Sequence, residues 1–248
     1  MKNIIFTIVA FFVFVLFSFS QTIVTDRPDQ TESSSTIEKK SFQIETALLI
    51  NFSEENNISS QQIFLPTTLF RYGLTKFIEL RVLSQLESLK NDLASKTNFG
   101  VSDLEFGSKL QLLKKENINT EIAFLSHLVI PTGSTTLTVN KWGTKNKLAI
   151  SHSLFSSINI GYNIGYNYLG EGNGDFNYSF AIGFSITEKL GIYIEPFGDI
   201  LEFNKHKSSF DSGFTYLIKD NSQLDFSFGT GLNHTMNYLS IGYSINIH

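Results

Sequence analysis

The sequence predicts an all-β protein: a closed antiparallel transmembrane β-barrel of about 12 strands, preceded by a short irregular N-terminal segment. Three observations predict it. Apolar residues alternate with polar ones at period two through most of the chain, as in Ile158-Asn-Ile-Gly-Tyr-Asn-Ile-Gly-Tyr-Asn-Tyr168. Within these runs Asp, Glu, Lys and Arg keep off the apolar face and gather on the other. The runs are also long, close to the roughly 9–11 residues with which a tilted strand crosses a bilayer. A helix would scatter the same apolar residues around its circumference. A soluble exported β-sandwich that binds a ligand satisfies the alternation too. It does not account for Tyr72, Tyr168, Tyr178 and Tyr216 near strand ends, or for acids in mid-strand beside Gly, Ser and Asn.

The elements follow in order. Met1-Lys2-Asn3 is a basic start, Ile4 to Phe19 is apolar but for Thr7 and Ser18, and Ser18-Phe19-Ser20 places small residues before Gln21. Residues 1–20 therefore read as a secretory signal peptide cleaved near Ser20-Gln21; the apolar run itself, about 16 residues, falls short of a bilayer span of roughly 20. Residues 21–40 are polar and aperiodic, and form the N-terminal segment. Residues 41–248 form the barrel, with strands expected at 41–52, 62–73, 76–87, 101–113, 119–130, 146–155, 157–169, 175–187, 189–200, 208–218, 223–233 and 237–247. The second is blurred by Ile63-Phe64-Leu65-Pro66, and the sixth is weak. The outward set is even-numbered up to Leu232 and odd-numbered in the last strand, from Leu239 to Ile247. A Lys or Arg at the lipid midplane costs about 2–4 kcal/mol, which explains why charges avoid this face. Short links at 73–75, 114–118, 156, 188 and 219–222 mark a periplasmic side, and longer ones at 53–61, 88–100, 131–145, 170–174 and 201–207 an outer side.

Composition narrows the chemistry. The 248 residues carry 19 Lys+Arg against 23 Asp+Glu, so no broad basic surface exists for nucleic acid. With 0 Cys there are no disulfides, thiolate metal sites or cysteine nucleophiles. The five His have no metal-ligand spacing. Ser126-His127 is no hydrolase pair, because neighbours in a strand face opposite ways. Gly170-Glu-Gly-Asn-Gly-Asp175 is a hairpin loop without a following helix. No catalytic residue, cofactor or metal is expected, and the chain is not read as an enzyme.

The inward face suggests function. Glu45, Arg71, Glu79, Arg81, Glu105, Lys109, Glu121, Glu195, Asp211 and Asp225 are the candidates for lining and selectivity. Counting Glu87, Asp103 and Asp199, the face holds ten acids against three bases, which favours cations or polar neutral solutes in an open pore. In a closed lumen the same acids pair with Arg71, Arg81 and Lys109. Asp26, Arg27 and Asp29 are candidates for a plug, with Arg27 reaching Glu45 or Glu79; the alternative is a periplasmic strap across the barrel base.

Thr25-Asp26-Arg27-Pro28-Asp29-Gln30-Thr31-Glu32-Ser33 resembles the opening motif of a family of outer-membrane β-barrels, the transporters of the MetA pathway of phenol degradation. Further matches occur in order: Phe42-Gln43-Ile44-Glu45, Leu69-Phe70-Arg71-Tyr72-Gly73-Leu74, Gly100-Val101-Ser102-Asp103-Leu104, Ile130-Pro131-Thr132-Gly133, Asn163-Ile164-Gly165-Tyr166, Tyr193-Ile194-Glu195, Asp211-Ser212-Gly213-Phe214-Thr215-Tyr216 and Gln223-Leu224-Asp225. The resemblance covers nearly all the mature chain. It implies a barrel in the outer membrane of a Gram-negative bacterium, in contact with outer-membrane lipid, that passes a small-molecule solute of hydrophobic or aromatic character. One departure is the C-terminus, Ile245-Asn246-Ile247-His248, where many such barrels end in an aromatic residue. The competing reading is a non-transporting scaffold or adhesion barrel acting through loops 88–100 and 131–145, with Trp142 as a contact or interface anchor.

Overall fold

The computed structural model describes residues 22–92, 96–115 and 118–247. The expected signal peptide, 1–20, lies outside them. Thirteen strands are formed: β1 (Phe42–Glu55), β2 (Ile58–Gly73), β3 (Ile78–Asn91), β4 (Asn98–Val101), β5 (Leu104–Leu113), β6 (Thr120–Ile130), β7 (Gly143–Phe155), β8 (Ile158–Tyr168), β9 (Asp175–Ser185), β10 (Leu190–Leu201), β11 (Lys205–Lys219), β12 (Ser222–Gly231) and β13 (Thr235–Ile247). All pairings are antiparallel, and β1 meets β13 from Phe42↔Ile247 to Glu54↔Thr235, which closes the sheet. Closure pairs every described strand on both sides except the short β4, which pairs with β3 alone, and so meets the condition for a sheet in lipid around the rest of the wall.

The wall has twelve strands, because β4 and β5 are two pieces of one. Both lie against β3, β4 along Leu86–Leu89 and β5 along Ile78–Leu83. The break falls at Ser102-Asp103. The Asp103 carboxylate accepts the amide N–H of Gly133 at 2.9 Å and of Val139 at 3.0 Å, so it leaves the ladder to hold the 131–142 connection.

Two local features revise the sequence expectations. The predicted outer link at 53–61 is a two-residue turn, Asn56-Asn57, with β1 and β2 extended on either side. Both residues are left-handed (φ 52° and 62°), a conformation that asparagine tolerates and that suits the twist of a tight hairpin. The 201–207 link likewise shrinks to residues 202–204. In β2, Leu65 and Pro66 together oppose Leu48 on one side and Leu86 on the other. This bulge accommodates a proline that cannot donate to the ladder. It also swaps parity, so Phe64 and Gln62 face inward before it and Leu69 and Arg71 after it. The blurred faces of the predicted second strand are this swap.

The expected partition of faces is present. Leu239, Ile241 and Phe228 are about half exposed on the outside, whereas Arg71, Glu79, Lys109, Glu195 and Asp211 are fully buried within. Tyr72 and Tyr216 are exposed at the periplasmic end and Tyr168 at the outer end, while Tyr178 is half-buried and stacks on His206. Ile241→Arg, on the outer face of β13, is expected to destabilise the barrel by about 2–4 kcal/mol in urea unfolding from vesicles. A loss under about 1 kcal/mol counts against a lipid-facing position.

Candidate functional site

A barrel of about 8 strands is just filled by its own wall side chains, so twelve leave space. Residues 22–40 occupy it. They run from the periplasmic end, where the Ile23 N–H bonds Asp220 O at 2.7 Å, through the lumen and back to the rim, where the Lys40 N–H bonds Gly73 O at 2.7 Å. The segment has no regular structure, so its backbone needs other partners. The wall supplies them. Glu45 accepts the Asp26 N–H (2.9 Å), Glu195 that of Gln30 (2.7 Å), Asn163 that of Glu32 (2.7 Å), Gln111 that of Thr36 (3.2 Å) and Glu79 that of Ile37 (3.0 Å). Wall donors meet its carbonyls: Gln43 and Arg71 bond Val24 O, and Lys109 bonds Ser33 O. Gly161 and Gly242 provide room, since a Cβ at the first would lie 3.0 Å from the Thr31 methyl and at the second 2.6 Å from the Asp225 carboxylate.

One side of the lumen is a balanced ion network. Asp26 lies at its centre, taking Arg81 at 2.5 Å, Lys109 at 2.8 Å and Arg71 at 3.4 Å. Arg71 also meets Glu45 and Glu79, each at 2.7 Å. Arg81 meets Glu79 at 3.0 Å and Glu32 at 2.6 Å, and its Nε donates to His127 Nε2 at 2.9 Å. Glu32 continues to Lys147 at 2.9 Å, and Glu105 takes Lys145 at 2.5 Å and His127 Nδ1 at 2.9 Å. Five carboxylates thus share five Lys and Arg. Burial opposes ionisation of Asp26, yet Arg71, Lys109 and Arg81 hold its carboxyl far below the usual carboxylate range. A buried charge costs several kcal/mol unless paired, which is why acids and bases interleave here.

The opposite side differs. Glu195 and Asp211 are cross-strand partners on β10 and β11, with Asp225 on β12. Arg27 donates to Asp225 at 3.1 Å and to Ser240 at 2.7 Å. Tyr238 donates to Asp211, and Thr31 to Glu195 at 2.5 Å.

The structure therefore puts nine of the ten lumen candidates in two buried groups around Asp26, Arg27 and Asp29. The tenth, Glu121, is part-exposed near the periplasmic rim, 3.2 Å from Lys114 and bonded by Ser35 Oγ. The expected contacts of Arg27 with Glu45 or Glu79 do not form. The chain bends at Asp26 and again over residues 28–30, and the side chains of Asp26 and Arg27 diverge, so Asp26 takes the basic wall and Arg27 the acidic one. Sequence reasoning missed Glu32, Lys145, Lys147, Asn163, Tyr193 and Tyr238. Lys147 was legible as an odd, inward position of the weak sixth run, whereas Lys145 fell in the expected 131–145 link and joins the wall only because β7 begins at Gly143; both reduce the acid excess counted from the sequence. Tyr193 and Tyr238 fall on the inner parity of their strands, and Glu32 lies in an aperiodic stretch.

Outside this plug the lumen widens into a cavity of about 420 Å³. Its lining combines Leu69, Leu83 and Leu125 on β2, β3 and β6 with Asn163, Asn167 and Asn177 on β8 and β9, and with charged groups such as Glu105, Lys145 and Asp199. On the periplasmic side is a cavity of about 30 Å³, beside Val24, Ile37 and Asn246.

The fold is that of outer-membrane β-barrels. The chain is similar to an outer membrane channel from Pseudomonas putida F1, with a TM-score of 0.75 at 12% identity over 89% of this chain and 100% of that one. It is similar to the KdgM porin, solved in complex with oligogalacturonate, with a TM-score of 0.56 at 10% identity over 83% and 99%. The NanC porin follows at a TM-score of 0.53 and 9% identity over 81% and 98%. No curated protein matches the chain. A family model matches residues 25–247, from the plug motif through the last strand, and the chain belongs to that family, described as "Putative MetA-pathway of phenol degradation".

Proposed function

We propose that the protein is an outer-membrane channel for passive passage of small solutes. The observation that carries this reading is the outer cavity of about 420 Å³, set in a closed barrel and floored by a segment that no strand pairing fixes. A floor held by side chains can shift without breaking the wall. Leu69, Leu83 and Leu125, with Phe197 on β10, offer apolar surface to an apolar or aromatic body, and the asparagines on β8 and β9 suit a hydrogen-bonding group. Hydrophobic or aromatic compounds are the solute class, in keeping with the family's description. In this reading Glu45, Arg71, Glu79, Arg81, Glu105 and Lys109 hold the plug rather than select ions, because their charges are spent on one another. The similar KdgM structure holds an oligosaccharide, so a polar solute is the alternative within the same function.

Planar-bilayer recording of the refolded protein tests this. Conductance is expected, with weak ion selectivity from the paired lumen. No conductance at any voltage, with or without the plug, defeats the channel reading. The scaffold reading would then stand, supported by the number of ion pairs that close the lumen.

A further inference from the structure

The Asp26 carboxylate, besides its cations, accepts the Ser33 N–H at 2.8 Å. It thereby joins the two ends of residues 27–32, which extend from this clasp across the lumen as a leaf. The leaf rests on β10 through Glu195, whose two oxygens accept Gln30 N–H at 2.7 Å and Thr31 Oγ1 at 2.5 Å, and on β9 through Ser179, 2.6 Å from Thr31 Oγ1. Asp29 belongs to the same leaf. Among the described residues, no Lys or Arg forms an ion pair with Asp29, Glu195 or Asp211.

Glu195 and Asp211 are fully buried and are register partners across the β10–β11 pair, so their side chains share the inner face. Burial of two neighbouring carboxylates with no cation paired to either disfavours ionising both, and the pair retains a proton. Asp211 Oδ1 has no donor among the described residues, and neither does the buried Tyr193 hydroxyl beside it. The other charged or titratable groups facing the cluster are Tyr238 on β13, Asp225 on β12 with its partner Arg27, Lys147 on β7 held by Glu32, and Asp26. No free cation is among them.

We propose that residues 27–32 are a proton-operated leaf: protons held on Asp29, Glu195 and Asp211 keep it docked on Glu195 of β10, and their loss drives it off and opens the path past the plug. The opening step rests on the channel reading; the docking step does not. Asp29 is half-buried at the floor of the outer cavity, and its removal from bulk water together with the neighbouring Glu195 pushes its carboxyl up from the ordinary value. The sign follows: a carboxyl raised by docking favours the docked state at low pH, and that contribution disappears as the pH rises through the raised value. Deprotonation places like charges on the leaf and on its seat. The Asp26 clasp, rich in cations, stays shut and acts as the hinge.

Hydrogen exchange of the refolded full-length protein, corrected for intrinsic rates, tests docking at about pH 6 and about pH 10. Protection of the Gln30 amide, which Glu195 accepts, is expected to fall about tenfold between them, while that of Glu32, held by Asn163 and the cation-rich side, changes less. In Glu195→Gln/Asp211→Asn the Gln30 protection is expected to stay level, because neutral isosteres keep the contact without a proton to lose. Asp29→Asn, which leaves the seat intact, serves if the double variant fails to show heat-modifiable mobility. Level protection in the native protein overturns the proposal, and so does an undiminished fall in a folded variant. Bilayer conductance is recorded on the same samples. Exchange that responds to pH in a silent barrel keeps the leaf and removes the channel; a conducting barrel with level protection does the reverse.

Discussion

Removal of residues 22–37 is expected to raise single-channel conductance by at least about threefold over the intact protein. The segment separates a cavity of about 420 Å³ from one of about 30 Å³, and wall side chains alone do not fill twelve strands. The wall itself is expected to fold. Its closing pairing begins at Phe42↔Ile247, beyond the deletion, and no strand pairs with the plug. The buried wall charges then meet water, which removes the cost of leaving Lys109 without its carboxylate. Heat-modifiable gel mobility checks that the barrel has formed. A folded deletion variant with unchanged conductance would mean that the block lies elsewhere, with the outer connection 131–142 the next place to look.

The second large effect is expected from Asp26→Ala. Of the cations around Asp26, Arg71 retains Glu45 and Glu79, and Arg81 retains Glu79 and Glu32. Lys109 keeps no ion pair among the described residues, retaining the carbonyls of Ser33 and Ser35 at 2.8 and 3.4 Å and the more distant charge of its cross-strand neighbour Glu79. A charge stranded in this way costs on the order of 3–5 kcal/mol. The closed wall does not depend on Asp26, so the loss should appear as undocking of residues 22–40, read by hydrogen exchange, with only a small change in barrel unfolding. Adding Lys109→Met should restore part of the docking, because an apolar chain in place of the stranded ammonium removes the desolvation cost. If the double variant is no better docked than Asp26→Ala alone, the stranded charge is not the cause. Glu32→Gln should be milder: Glu32 is part-exposed and Arg81 keeps two other carboxylates.

How far the sequence reaches differs between wall and site. Alternation from Ile158 to Tyr168, and the parity change before Leu239, predict which side chains face lipid, and the structure agrees. The same pattern placed Glu45, Arg71, Glu79 and Lys109 on the inner face. It could not locate the β2 bulge, because Leu65-Pro66 reads as a strand with mixed faces until its neighbours Leu48 and Leu86 show what it opposes. Nor could it shorten the 53–61 link, because Asn56-Asn57 becomes a tight turn only when both strands continue past it.

The sequence by itself determined the closed antiparallel wall, its two faces and an aperiodic polar segment at the front. Those depend on period-two alternation and on the cost of charge in lipid, both local along the chain. Only the tertiary structure decided that residues 22–40 fill the lumen, that Asp26 rather than Arg27 takes the basic wall, and that Glu195 and Asp211 face each other without a cation. Closing the barrel brings residues up to about 200 positions apart to hydrogen-bonding distance, as with Arg27 and Ser240. Which charges neutralise one another across that space is a property of separation and burial, and no stretch of sequence contains it.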